Sequence, residues 1–244
     1  MARNLEIGDL VYVPRGKVGL EFDSYSSFYR TKVVDKQGNS VKVDLPYNNV
    51  SDWLSSQFVR KYIKVAIFAI GDMETELTLI DPLAKTILHH FRLLLGDDEI
   101  LSVKIRSMPE LEYFWCKEQE AFSHVIFIGH GSDHSIKFGV DGWVDAKRLG
   151  DSLYKRGASK KHFLFLCCQT GHAAFAKKFS LLPVCEDIVA PYHSVHGAIA
   201  SQFCQTYSLL QFLEGRTSKV AYKNARDATP GGVIFKFWDN GRRG

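Results

Sequence analysis

Apolar residues recur along the chain in two rhythms. From Leu5 to about Arg60 they form short alternating stretches broken by turn residues. Gly8-Asp9 leads into Leu10-Val11-Tyr12-Val13, and Pro14-Arg15-Gly16 reads as a turn. Thr31 to Asp35 and Ser40 to Leu45 flank Lys36-Gln37-Gly38-Asn39, where Gly38 can supply the positive φ that a hairpin turn demands. With a closing turn near Trp53 to Val59, this pattern predicts a small β-barrel over residues 1–61.

From Lys64 the rhythm changes to apolar runs alternating with helical periodicity, which predicts an α/β domain over residues 62–244 with a parallel-rich sheet flanked by helices. Strands are expected at Val65 to Ile70, Ile100 to Ile105, His124 to Ile128, His162 to Cys167, Asp187 to Ala190 and Val233 to Trp238. Helices are expected from Pro82, capped by Asp81 and ending before Gly96, and at Glu110 to Phe122, Asp145 to Tyr154, His172 to Phe179, His196 to Leu213 and Ser218 to Ala225.

Composition narrows the function classes. At 244 residues the chain can bury one full-sized core and a small satellite domain. A net charge of +4 is too mild to argue for nucleic acid from charge alone, which leaves a nucleic-acid partner a minor option. The apolar runs are far shorter than the ~20 residues a bilayer crossing needs, so no membrane association is expected. Met1 to Leu10 carries acids and no apolar block, so no secretory leader is expected. Five cysteines, two of them adjacent, then read as reduced thiols in a cytoplasmic protein.

In an open parallel sheet the reactive groups sit beyond the carboxyl ends of the strands. The run His124 to Ile128 ends in Gly129-His130-Gly131, and the run Phe163 to Leu166 ends in Cys167-Cys168-Gln169-Thr170-Gly171. One right-handed crossover would make these strands neighbours and put a histidine and a cysteine in one crevice. Thiolate is the nucleophile, and an imidazole can generate it and later protonate a leaving amine. Alternation assigns Cys167 to packing with Phe163 and Phe165, and leaves Cys168 opening the loop as the nucleophile. The backbone N–H groups of Gly131 and Cys168 are the expected oxyanion donors, and a helix beginning near Gly171 would add a positive dipole end. Cysteine is among the most buried residue types, so a Cys-Cys strand end taken alone reads as core. It is the joint placement with His130 and the nearby glycines that points to catalysis. Cys116, Cys185 and Cys204 read as structural.

These motifs resemble the caspase-like cysteine peptidases, and in particular the CHAT domains: an apolar strand before His130-Gly131, then an apolar strand before Cys168-Gln169-Thr170-Gly171. The likeness continues through Ile188 to His196, Phe203 to Leu213, Glu214-Gly215-Arg216 and Ala221 to Ala225. The resemblance implies a caspase-like fold and a cysteine endopeptidase with His130 as general base, Cys168 as nucleophile and the backbone of Gly131 and Cys168 as oxyanion hole. It further implies a protein or peptide substrate, an activating protein partner in a prokaryotic signalling or defence system, and no cofactor or metal. The amino-terminal segment loosely resembles an SH3-like barrel, with Phe22, Tyr25, Phe28 and Tyr29 in a wide loop as groove or core. The alternative is a catalytically inactive caspase-like scaffold. A nucleotide site on Gly129-His130-Gly131 lacks the third glycine and a phosphate-binding lysine.

His134, His172, His193 and His196 are alternative bases, and His193 and His196 could line the substrate pocket. Asp72, Glu74 and Glu76 after the first long strand, with Asp133 after His130, would form an acidic wall favouring a basic side chain before the cleaved bond.

Overall fold

The computed structural model describes residues 5–21, 28–61, 64–72, 78–96, 99–119, 122–154 and 160–244. The chain forms two compact units, Met1–Ile63 and Lys64–Gly244.

The first unit is an antiparallel sheet of β1 (Leu10–Pro14), β2 (Phe28–Gln37), β3 (Ser40–Leu45), β4 (Asn49–Val50), β5 (Leu54–Ser55) and β6 (Arg60–Lys61). The order is β4-β3-β2-β1-β6, with β5 also pairing β3. Gly38 turns the β2–β3 hairpin at φ +56°. Val11, Val13, Val33, Val41 and Val43 point inward at alternate positions and form the core with Leu5, Leu54 and Val59. Tyr29 is partly buried against this core, whereas Phe22 and Tyr25 lie outside the described residues, as does the Phe28 side chain.

The second unit is built on a seven-stranded sheet in the order β15-β14-β13-β12-β9-β7-β8. In chain order its elements are β7 (Lys64–Ile70), α1 (Ile80–Leu94), β8 (Ile100–Ile105), α2 (Met108–Glu118) and β9 (Phe122–Gly129), then a two-stranded hairpin of β10 (Ser135–Phe138) and β11 (Gly142–Asp145). They continue with α3 (Ala146–Leu153), β12 (Lys161–Cys167), α4 (Lys178–Ser180), β13 (Cys185–Pro191), α5 (Gly197–Phe212), α6 (Ser218–Ala228), β14 (Phe235–Asp239) and β15 (Arg242–Arg243). The strands β8, β7, β9, β12 and β13 are parallel, and β14 and β15 close one edge antiparallel.

Both faces of the sheet are covered. Phe68, Phe127, Phe163, Phe165 and Cys167 face α2, α3 and the Phe175–Phe179 turn, where stacked and edge-on rings run through the core. Val65, Ile67, Ile126, Leu164 and Leu166 face α1, α5 and α6. Trp115 in α2 donates its indole N–H to the Leu153 carbonyl of α3 at 2.8 Å, and Trp238 in β14 donates to the Gly171 carbonyl at 3.0 Å, fixing the loop that follows β12.

Several boundaries differ from the sequence expectation. Asp81 does not cap α1: the helix starts at Ile80, and the Asp81 carboxylate instead bonds Lys104 and Lys85. The second helix starts at Met108, capped by Ser107, and Phe122 already belongs to β9 because its ring packs on Phe68 and Trp115. The segment after Gly171 is a single π-helical turn, Ala173–Lys177, running into the short α4. Val233 lies in a 3₁₀ turn before β14.

Candidate active site

The sheet register sets the site. In the parallel pair β9–β12, Gly129 is opposite Cys167, so His130 and Cys168 leave the sheet side by side, about 4.8 Å from strand to strand. Gly131 then packs against the cysteine loop so closely that a Cβ there would lie 2.5 Å from the Cys168 carbonyl oxygen and 2.9 Å from Cβ of Cys167. Only glycine fits without displacing that backbone. Gly131 also bridges to Ile136, the bonds of this bridge being Lys137 N–H to His130 O at 3.0 Å and Ser132 N–H to Ser135 O at 2.8 Å. The Gly131 N–H takes no part in that pairing.

The two cysteines sit in different surroundings. Cys167 is fully buried, and its thiol is pushed far above the usual range by burial and then by Cys168 beside it. The Cys168 side chain is half-buried and turns to the other face, where the backbone N–H of Val195 donates to Sγ at 3.4 Å. Val195 lies two residues before α5, whose amino end therefore approaches the thiol. Gln169 adopts a left-handed conformation at φ +63°, its N–H donating to the His193 carbonyl at 3.3 Å. The Gly171 N–H donates to the Pro191 carbonyl at 2.8 Å, and the Thr170 hydroxyl to the Cys167 carbonyl at 2.7 Å. The cysteine loop is thus tied to Pro191 and His193 by two backbone bonds and braced from within by the Thr170 hydroxyl, and its left-handed residue immediately follows Cys168.

No family model and no curated protein matches the chain. Among solved structures it is similar to an inactive zymogen of a C11 protease from Parabacteroides distasonis. That likeness has a TM-score of 0.48 at 11% identity, over 73% of this chain. The chain spans 61% of that protein's length.

The remaining candidates are spread over several elements. His193 is exposed after β13, with its carbonyl on Gln169. His196 caps α5, Nδ1 accepting the Ala198 N–H at 3.2 Å. His172 stacks on Tyr192 with ring centroids 3.8 Å apart. Asp133 is exposed and paired with the adjacent His134 at 2.5 Å. Asp72 is partly buried after β7, with its backbone against Gly139, while Glu74 and Glu76 lie outside the described residues. Among the described residues, no group of three His, Cys, Asp or Glu side chains is arranged to hold a metal ion, and no helix is long and apolar enough to cross a membrane.

A second polar constellation, which sequence periodicity does not reveal, lies at the opposite end of the same strands. His162 Nδ1 and Asp187 Oδ2 are 2.8 Å apart, Ser218 donates to Asp187 Oδ1 at 3.0 Å, and Ser218 and Tyr207 share a 2.6 Å hydroxyl bond. The His124 ring lies 4.8 Å from that of His162. Burial pulls His162 down, but the hydrogen bond and charge of Asp187, with Glu186, more than reverse it. Burial and the neighbouring His162 hold His124 well below the usual range. Because His162 is raised, the stabilisation from its pairing with Asp187 is full below the unfolded value near pH 6.5 and is lost as pH rises through the folded value. The gap in melting temperature between the wild type and Asp187→Asn is therefore expected to be wider near pH 5.5 than near pH 8.5. A gap that widens toward alkaline pH in thermal melts would contradict the pairing.

Proposed function

We propose that the protein is a cysteine peptidase in which Cys168 is the nucleophile and His130 the general base. The observation that carries this reading is the juxtaposition of a half-buried thiol, receiving an N–H bond, with a His-Gly turn held against its own carbonyl. The chemistry follows from these groups. His130 takes the thiol proton, and the thiolate attacks the substrate carbonyl carbon, forming the C–S bond while the carbonyl electron pair moves to oxygen. The N–H groups of Gly131 and Cys168 receive that oxyanion. His130 returns the proton to the leaving amine as the C–N bond breaks. Water, deprotonated by His130, then hydrolyses the thioester and regenerates the thiol.

The Val195 N–H adds a donor that was not apparent in the sequence. This donor and the adjoining start of α5 hold the sulfur at the mouth of the crevice, with the Val195 carbonyl 4.0 Å away on the same side.

The deciding test is cleavage of a peptide library by the intact chain, read by mass spectrometry, together with labelling of Cys168 by iodoacetamide. Cleavage that disappears in Cys168→Ala supports the reading. A folded wild type that cleaves nothing, whatever its thiol reactivity, would leave a non-catalytic scaffold instead. Residues 64–244 carry every group named here and a core of their own, so this fragment is expected to be soluble and to keep the iodoacetamide-reactive Cys168. Insolubility at several nearby cut points would show that the amino-terminal unit is needed for its folding.

A further inference from the structure

A groove runs between the start of α1 and the start of α5. Leu79, Leu83 and Thr86 form one wall, and Ala198, Ser201 and Gln202 the other. Val195, whose backbone nitrogen lies 3.4 Å from Sγ of Cys168, also lines it. A Cβ added to Gly197, which also lines the groove, would meet no heavy atom within 4 Å, so the groove is open at that point. Among the described residues lining it there is no Asp, Glu, Lys or Arg, and His196 is already engaged in capping α5.

This lining selects against charge. An ionic side chain entering the groove would shed water and meet no counter-ion, whereas an aliphatic side chain gains by leaving water. Gln202 can donate to or accept from the backbone amides of an extended segment or a substrate hydroxyl, whereas the Thr86 hydroxyl already donates to the Pro82 carbonyl and can only accept, and Ser201 Oγ already accepts from Gln205 and keeps its proton to donate.

We propose that this groove is the specificity subsite of the peptidase, receiving an uncharged aliphatic or hydroxyl-bearing side chain of a polypeptide substrate next to the bond cleaved at Cys168. Gly197 keeps the entry open, and Gln202 sets the polarity of the wall. The proposal rests on the peptidase reading and adds a substrate class to it.

The test uses the full chain and a peptide library profiled by mass spectrometry. At one position flanking the cleaved bond, Ala, Val, Ser or Thr is expected to be favoured over Asp, Glu, Lys and Arg by about tenfold or more. Gln202→Glu should admit Lys and Arg at that same position and Gln202→Lys should admit Asp and Glu, each by about tenfold. Gly197→Leu, whose Cβ meets no heavy atom within 4 Å, should reduce library cleavage about tenfold or more while iodoacetamide still labels Cys168. Equal acceptance of charged residues at every flanking position, or profiles unchanged in both Gln202 variants, overturns the subsite and leaves the peptidase standing. A wild type that cleaves nothing although iodoacetamide labels Cys168 overturns the peptidase reading and the subsite with it.

Discussion

Replacing Cys168 by alanine is expected to lower peptide hydrolysis by about 10⁴-fold or more while leaving the melting temperature nearly unchanged, since the half-buried thiol contributes little to either core. Cys167→Ala should behave in the opposite way. Its sulfur is packed among Phe163, Phe165 and their neighbours, so its loss should cost about 1–3 kcal/mol of stability and leave turnover within about tenfold. Steady-state cleavage and denaturant unfolding on both variants separate the two roles. Equal loss of turnover in two folded variants would refute the assignment of the nucleophile.

His130→Ala is expected to reduce kcat by about 10²–10⁴-fold with little change in KM, the pattern of a lost general base. The competing histidines have their own signatures. His196 caps α5, so its replacement should cost about 0.5–2 kcal/mol of stability rather than turnover. His172, stacked on Tyr192, should loosen the wall after β13. If His193→Ala or His196→Ala produces the kcat loss and His130→Ala does not, the base lies on the α5 side of the crevice.

The strands at the centre of the sheet are legible in the sequence because each is a continuous apolar run. Such runs belong to strands covered on both faces, and their ends mark where chemistry-bearing residues emerge. The alternation that separates Phe163, Phe165 and Cys167 from Leu164 and Leu166 is likewise visible in the sequence. The β10–β11 hairpin is not. Ser135–Phe138 and Gly142–Asp145 are four residues each, too short for alternation to stand out, and the bridge from Gly131 to Ile136 has no sequence signature either. Asp81 misled because an acid just before a proline at a helix start looks like a cap, and the nearby lysines that claim it are set by tertiary packing. The Val195 N–H has no signature in the sequence at all, being a backbone donor 27 residues from the sulfur it meets. The His162–Asp187 pair is hidden for a related reason: its members are 25 residues apart and meet only because β12 and β13 are neighbours.

The opposite orientation of Cys167 and Cys168 makes this vicinal pair behave as a single thiol. Closing a disulfide requires the two Cβ atoms to face each other about 4 Å apart, and neighbouring residues of an extended strand direct them to opposite faces of the sheet. A trivalent arsenical, which grips two sulfurs at once, finds one at the surface of the crevice and the other sealed in the aromatic layer. Reagents that count thiols one by one should therefore register Cys168 without Cys167 until the sheet itself comes apart.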